Sequence, residues 1–209
     1  MKKITIALLC MIMAVGAAMA QPEKSFTFGP KIGVDYTHYW GKDCHHSGLF
    51  NYQGGVFFEY RISDKFAIAP EIVFAAQGNK WSENYDIYDK ETGDVIGEAK
   101  ITMTDHVNYI NVPVMLKYYV VPSLSIDLGP QVGYCIYSKY TIDDDGVKNT
   151  GDEMNETKKV DVGVGLGLTY NIAKDVFVQG RYTMGMTKIF KIGDDVKHGN
   201  AQIAIGYRF

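Results

Sequence analysis

The sequence predicts an all-β chain: an eight-stranded antiparallel up-and-down transmembrane β-barrel. Three observations predict it. Eight segments alternate apolar and polar residues with a period of two. The links between these segments alternate short and long. The apolar parity is bulky, whereas the opposite parity collects small and charged residues, which suits lipid outside and a narrow lumen inside.

Residues 1–20 read as a secretory signal peptide. Lys2 and Lys3 supply the positive start, Ile4 to Val15 the apolar run, and Ala18-Met19-Ala20 the small-x-small cleavage site. An anchor helix fits less well, because the run is short and no stop-transfer flank follows. A lipoprotein would need a small residue before Cys10, where Leu9 stands. Residues 21–209 are then one barrel domain, long enough for a full core. Beyond the leader no apolar run reaches the ~20 residues of a spanning helix, so a membrane would be crossed by strands. A net charge of −3 and a pI near 5.9 argue against a nucleic-acid partner. Fifteen tyrosines and 22 glycines favour strands over helices.

The first segment sets Phe28, Ile32, Val34 and Tyr36 against Lys31, Gly33, Asp35 and Thr37. The second sets Val56, Phe58, Tyr60 and Ile62 against Gly55, Phe57, Glu59 and Arg61, and the third Phe66, Ile68, Ile72 and Phe74 against Ala69, Glu71, Val73 and Gln77. In the fourth, Ile110 to Tyr118 alternate with Tyr109, Asn111, Met115 and Lys117; in the fifth, Leu124 to Ile136 alternate with Ser125, Asp127, Gly129, Gln131 and Gly133. The sixth is the cleanest, with Val160 to Tyr170 against Asp161, Gly163, Gly165, Gly167 and Thr169. The seventh opposes Val176, Val178, Tyr182, Met184 and Met186 to Phe177, Gln179, Arg181 and Thr183. The eighth ends the chain: Ile203, Ile205, Tyr207 and Phe209 share the apolar parity, and Gln202, Ala204, Gly206 and Arg208 the other.

Ser63–Lys65, Val121–Ser123 and Ala173–Asp175 are tight turns. The links 39–51, 79–105, 140–158 and 188–198 are long and polar, and are expected as extracellular loops. An even strand count returns both termini to the periplasm. Aromatic residues gather at both strand ends, Tyr60, Phe66, Tyr118, Tyr170, Tyr207 and Phe209 at one, Tyr36, Trp40, Phe74, Tyr134 and Tyr182 at the other, as interfacial girdles do. Pro30, Pro70, Pro113 and Pro130 fall inside strands, where bulges or irregular pairing are expected.

The inward parity gathers Lys31, Arg61, Lys117, Arg181 and Arg208 with Asp35, Glu59, Glu71, Asp127 and Asp161. Buried charge is costly unless paired, so this balance implies a structural network plugging the lumen rather than an ion path. Gly163, Gly165 and Gly167 are small enough to admit the arm of Arg181. No catalytic or metal site is expected, and no cofactor. Cys44-His45-His46 lacks ligand spacing. Asp143-Asp144-Asp145-Gly146 lacks the alternation of a calcium loop and reads as a solvated acidic loop. His106 with Ser82 and Asp105 makes no recognisable nucleophile-and-base pair. Cys44 and Cys135 could pair in an oxidising compartment or stand as free thiols; two cysteines do not make a framework.

Several motifs in order carry a family resemblance. They are Gly29-Pro30-Lys31-Ile32-Gly33, Phe66-Ala67-Ile68-Ala69-Pro70-Glu71, Tyr109-Ile110-Asn111-Val112-Pro113-Val114-Met115-Leu116-Lys117-Tyr118-Tyr119, Leu128-Gly129-Pro130-Gln131-Val132-Gly133, Arg181-Tyr182 and Gly206-Tyr207-Arg208-Phe209. The chain resembles the small outer-membrane β-barrels of Bacteroidetes, the PorT-like family. The resemblance implies a bacterial outer-membrane protein inserted by the barrel-assembly machinery, with Ile203, Ile205, Tyr207 and Phe209 as the assembly signal. It implies no common activity. The expected role is structural or surface-binding. Lipid surrounds the barrel, and an extracellular ligand or protein partner would meet residues 79–105 and 140–158, where Trp81, Tyr85 and Tyr88 suit recognition. An accessory role in secretion or transport is the alternative, and a lipid-modifying enzyme is less favoured.

Overall fold

The computed structural model describes residues 26–41, 48–90, 92–191 and 195–209. The expected signal peptide, Cys44, His45 and His46 lie outside the described residues. The strands are β1 (Phe26–Trp40), β2 (Gly48–Arg61), β3 (Phe66–Tyr88), β4 (Val95–Val121), β5 (Leu124–Asp144), β6 (Val147–Asp152), β7 (Val160–Asn171), β8 (Val176–Gly185) and β9 (Lys197–Tyr207). Neighbours pair antiparallel in the order β4-β3-β2-β1-β9-β8-β7-β5, and β4 pairs with β5 to close a ring of eight. The short β6 pairs only with the far end of β5 and stands outside the ring.

Alternation decides which face meets which medium. Ile32 is 65% exposed on the outside, whereas its neighbour Lys31 is 2% exposed in the lumen. The same inversion runs around the ring, with Leu166, Leu168, Ile203 and Ile205 outward and Asp127, Arg181 and Gln202 inward. Phe28 and Tyr36 bracket the outer face of β1 across roughly 26 Å of strand, about 20 Å of height at a tilt of ~40°. That is close to the ~25 Å apolar band of a membrane barrel. Rings cluster at the lower edge, where Phe28 lies 5.6 Å from Phe209 and Phe66 5.2 Å from Tyr118.

Closure rests on β9. It pairs with β1 from Lys31↔Gly206 to Trp40↔Lys197 and with β8 from Val176↔Tyr207 to Met184↔Gly199. The Phe209 amide donates to the Phe28 carbonyl at 2.8 Å, fastening the last residue to the first strand. The three tight turns lie at the same end as this seam.

Two expectations are corrected. Residues 79–105 and 140–158 are not loops. They carry the upper halves of β3, β4 and β5 together with β6, which continue beyond the ring as a four-stranded sheet. The reason is that the pattern inverts where the strands leave lipid: water now lies outside, so Lys80, Ser82 and Asn84 point outward while Trp81 and Tyr85 take the inner parity. The prolines also bring no bulges, only the irregular pairing that was the other expectation. The ladders lapse beside Pro70, Pro113 and Pro130 and resume in the same register, and β1–β2 runs unbroken through Pro30↔Val56. Each proline removes one donor, but its fixed φ fits a strand, so no extra residue is needed. Among the described residues the register shifts fall elsewhere, at Ile87/Tyr88, Asn108/Tyr109 and Tyr119/Val121.

Candidate functional site

The lumen is filled by polar side chains in tiers. In the lowest tier Lys117 Nζ donates to Glu59 Oε2 at 2.9 Å, and the Tyr119 hydroxyl donates to Glu59 Oε1 at 2.5 Å. Arg208 lies 3.7 Å from Glu59 and donates to Asn171 Oδ1 at 2.8 Å. Among the described residues Arg61 pairs with no carboxylate and stacks over the Tyr119 ring, 4.1 Å from its centroid. Two aromatic rings also fill this tier: Phe57 and Phe177 meet edge to face at 5.0 Å, and Arg208 covers Phe177 at 4.6 Å. Gly206 makes room for them, since a Cβ there would stand 2.2 Å from the Phe177 ring.

The middle tier holds the tightest ion cluster. Glu71 accepts from Lys31 Nζ at 2.6 Å and from both terminal nitrogens of Arg181, at 3.0 and 2.6 Å. Lys31 also donates to Gln179 Oε1 at 2.9 Å. Asp127 is held differently, by Ser125 Oγ at 2.6 Å, Thr169 Oγ1 at 2.5 Å and Gln179 Nε2 at 3.2 Å. Gly165 faces this tier: a Cβ there would lie 3.4 Å from Arg181 Cδ and 3.4 Å from Thr183 Oγ1.

In the upper tier Gln53 donates to Gln202, and Asp161 accepts from the Thr187 hydroxyl. Asp35, Thr183 and Asn200 bring buried side-chain oxygens here that meet no hydrogen-bond geometry among the described residues. Of the ten charged residues expected in the lumen, six therefore join two ion clusters, Lys31–Glu71–Arg181 and Lys117–Glu59–Arg208. Hydroxyl and amide groups hold Asp127 and Asp161, an aromatic face holds Arg61, and Asp35 lies beside Asn200 in the field of Lys31 without joining either cluster. Leaving a charged side chain unpaired at this depth is costly, and the two clusters spare six of the ten that cost.

A cap closes the outer mouth, and nothing in the sequence announced it. The segments around Thr157 and Phe190 form a bridge to one another, with the Lys158 amide donating to the Ile189 carbonyl at 2.7 Å and the Lys191 amide to the Glu156 carbonyl at 2.9 Å. Ile189 is buried, and beneath the cap Val107, Tyr109 and the free thiol Cys135 pack with Met154. His198 lies edge-on to Tyr39 and Tyr109, both at 5.3 Å, and its Nε2 shares a 3.2 Å hydrogen bond with the Tyr109 hydroxyl. The cap is built from irregular segments distant in sequence, so no periodicity could reveal it.

Above the mouth the four-stranded sheet presents Trp81, Tyr85, Ile101, Met103, Tyr140 and Ile142 on one face, continuous with the barrel's inner wall. The face is only partly covered: Ile101 and Met103 are half-buried, and Tyr85 and Ile87 are exposed. Tyr85 donates to Asp144 Oδ1 at 2.7 Å, tying β3 to the end of β5. The residues Asp143–Gly146 are a tight hairpin turn rather than an open acidic loop. Asp145 and Gly146 both take positive φ, 45° and 90°, the pattern of a type I′ turn. The Asp-Gly dipeptide was the signal for it. Ser82 and His106 do not meet: Ser82 bonds Thr102, and four residues of β3, about 13 Å, separate it from the register position of His106. Asp105 faces inward while His106 faces outward.

The four terminal residues Ile203, Ile205, Tyr207 and Phe209 all lie exposed on the outer face. No helix among the described residues is long and apolar enough to cross a membrane.

Comparison with one solved structure, Neisserial surface protein A, supports the same fold. Neisserial surface protein A aligns over 90% of this chain and 100% of its own, at 11% identity and a TM-score of 0.51. Ail, the attachment invasion locus protein of Yersinia pestis, aligns over 88% and 98% at 15% identity and a TM-score of 0.49. Outer Membrane Protein W of E. coli aligns over 90% and 100% at 17% identity and a TM-score of 0.40. No curated protein sequence matches the chain. Residues 19–191 match the family described as the outer membrane protein beta-barrel domain. With eight strands closed on themselves, an apolar exterior and this match over most of its length, the chain belongs to the outer membrane protein beta-barrel domain family.

Proposed function

We propose that this small outer-membrane β-barrel protein is a surface-binding barrel. Its ring anchors it in lipid, its lumen charges form a structural plug, and its extracellular sheet docks a ligand or protein from outside the cell. The observation that carries the reading is the apolar inner face of that sheet, which stands in water with Tyr85 and Ile87 exposed. Exposed apolar surface bearing Tyr and Trp is a usual mark of an interaction site. The protein is proposed to have no catalytic activity of its own, to lose its leader at residue 20, and to keep both termini in the periplasm. The position of the three short turns at the same end as the termini supports that orientation. Insertion would use the barrel-assembly machinery, which would read the outward aromatic and aliphatic residues of β9.

A photo-crosslinking residue placed at Tyr85 or Ile87 in intact cells tests the reading. Adducts of defined mass are expected from both positions and not from Ile72 on the lipid face. Crosslinking no greater than at Ile72 would refute surface binding. The ordered motifs shared with PorT-like barrels of Bacteroidetes support the second reading, an accessory of secretion or transport. A stoichiometric periplasmic or membrane partner co-purifying with the folded barrel would favour it.

A further inference from the structure

At the root of the extracellular sheet lies a group of oxygens that neither the plug nor the binding face uses. Asn79 and Asp105 oppose each other directly in the β3–β4 ladder and, with Trp81 and Met103, line a cleft of about 320 Å³. Glu153, in the link after β6, and Tyr39, on β1, both stand in the field of the Asp105 carboxylate. Each of the four carries a buried side-chain oxygen with no partner among the described residues: Asn79 Oδ1, Asp105 Oδ1, Glu153 Oε2 and the Tyr39 hydroxyl. Asn79 and Tyr39 are more than nine-tenths buried, at 7% and 5% exposure. Among the described residues neither carboxylate is within ion-pair distance of a lysine or arginine.

Two carboxylates drawn together under a cap without a cation are expensive. Burial pushes the Asp105 carboxyl up to about 6. Burial, followed by the charges of Asp105 and Glu156, pushes that of Glu153 up to about 7. The acidic run Asp143–Asp145 is different, because there Asp143 caps the turn by accepting from the Gly146 amide at 3.0 Å and the side chains reach water.

We propose that Asp105, Glu153 and Asn79, with Tyr39 beside them, bind one partly hydrated divalent cation of the calcium class. The donors are all hard oxygens: two carboxylates, an amide carbonyl and a neutral hydroxyl. Their combined charge matches a divalent ion. Calcium accepts about six to eight oxygens in flexible geometry, so the protein supplies half the shell and the cleft has room for water to complete it. Because no trio of acidic, histidine or cysteine side chains is gathered among the described residues, the amide and hydroxyl oxygens are needed to make the site. A bound ion would tie β1, the β3–β4 hairpin and the link after β6 together, fixing the cap and the sheet above it.

The test uses the full barrel refolded in detergent, stripped with a chelator and titrated with terbium or calcium chloride. One terbium ion per barrel is expected, with emission sensitised by Trp81 and Tyr39 and displaced by calcium. Calcium should also raise the melting temperature. Asp105→Asn and Glu153→Gln remove buried charge and should fold, yet each should weaken calcium binding about tenfold or more. Asp143→Asn, at the exposed acidic turn, should leave it unchanged. The proposal is overturned if terbium emission is not displaced by calcium. It is equally overturned if Asp105→Asn and Glu153→Gln bind as wild type, or if Asp143→Asn weakens binding as much as they do.

Discussion

Replacing Glu71 by Gln removes the one negative charge that Lys31 and Arg181 share. Three charge-assisted hydrogen bonds, of 2.6, 3.0 and 2.6 Å, then face a neutral amide, and two buried cations are left opposed to each other. Breaking a buried ion pair from one side costs about 3–5 kcal/mol, since the remaining charge stays desolvated. For a chain of this size that corresponds to a fall in melting temperature of roughly 10 °C or more. The lumen position is what makes the loss large; an exposed pair would lose about 1 kcal/mol at most. The complementary variant replaces Lys31, Glu71 and Arg181 together by Met, which removes the whole charge cluster while keeping comparable volume. Such exchanges are typically neutral or stabilising by about 1–4 kcal/mol. The folded and unfolded barrels can be separated on gels after graded heating, and urea titration in lipid gives the free energy directly. A Glu71→Gln barrel that melts with wild type, or a triple variant as weakened as the single one, would refute a plug built on paired charge.

Gly165→Ala should be close to neutral, because the new Cβ meets Arg181 Cδ and Thr183 Oγ1 at ordinary contact, whereas Gly165→Leu should overpack the tier by about 1–3 kcal/mol in the same urea titration. Ile205→Lys places a charge on the lipid face between the two aromatic belts and should cost up to about 2–4 kcal/mol, read as a lower yield of heat-modifiable barrel in the outer membrane. The carboxyls of Asp105 and Glu153 are both raised in the folded state, so the fold binds more protons there than the unfolded chain does. Their contribution is complete below the ordinary carboxylate range and is lost as pH rises through about 6 and then about 7. Chelator-treated barrel should therefore melt higher at about pH 5 than at about pH 8, and Asp105→Asn with Glu153→Gln should flatten that slope.

The membrane-spanning half of the fold was legible because lipid imposes one rule on every strand there. An outward residue such as Ile32 or Leu166 must be apolar, and its neighbour must fit a crowded, polar interior. The rule fails above the upper belt. Lys80, Ser82 and Asn84 are outward and polar, Trp81 and Tyr85 inward and aromatic, so a search for lipid-style alternation sees only a polar link. The pattern was still strand-like, but with its sign reversed. The lumen charges were legible as a set, yet their partners were not. Parity places Arg61 and Asp127 inward but says nothing of the Tyr119 ring that holds one or the Ser125 and Thr169 hydroxyls that hold the other. The cap and the oxygen cluster depend on contacts such as Thr157 with Phe190, which join segments of no regular pattern.

Ile136 is a single extra residue with a disproportionate effect. Tyr109 pairs with Cys135 and Asn108 with Tyr137, so Ile136 and Tyr137 both point outward in succession. That offset works as a phase shifter. Below it the odd-numbered residues of β5 face in; above it the even-numbered ones do, and Tyr140 and Ile142 thereby join the apolar side of the sheet. Without it, Lys139, Thr141 and Asp143 would occupy that side while the spanning half stayed as it is. The two halves of β5 can therefore be tuned separately, one for lipid and one for water, with one residue keeping them in step.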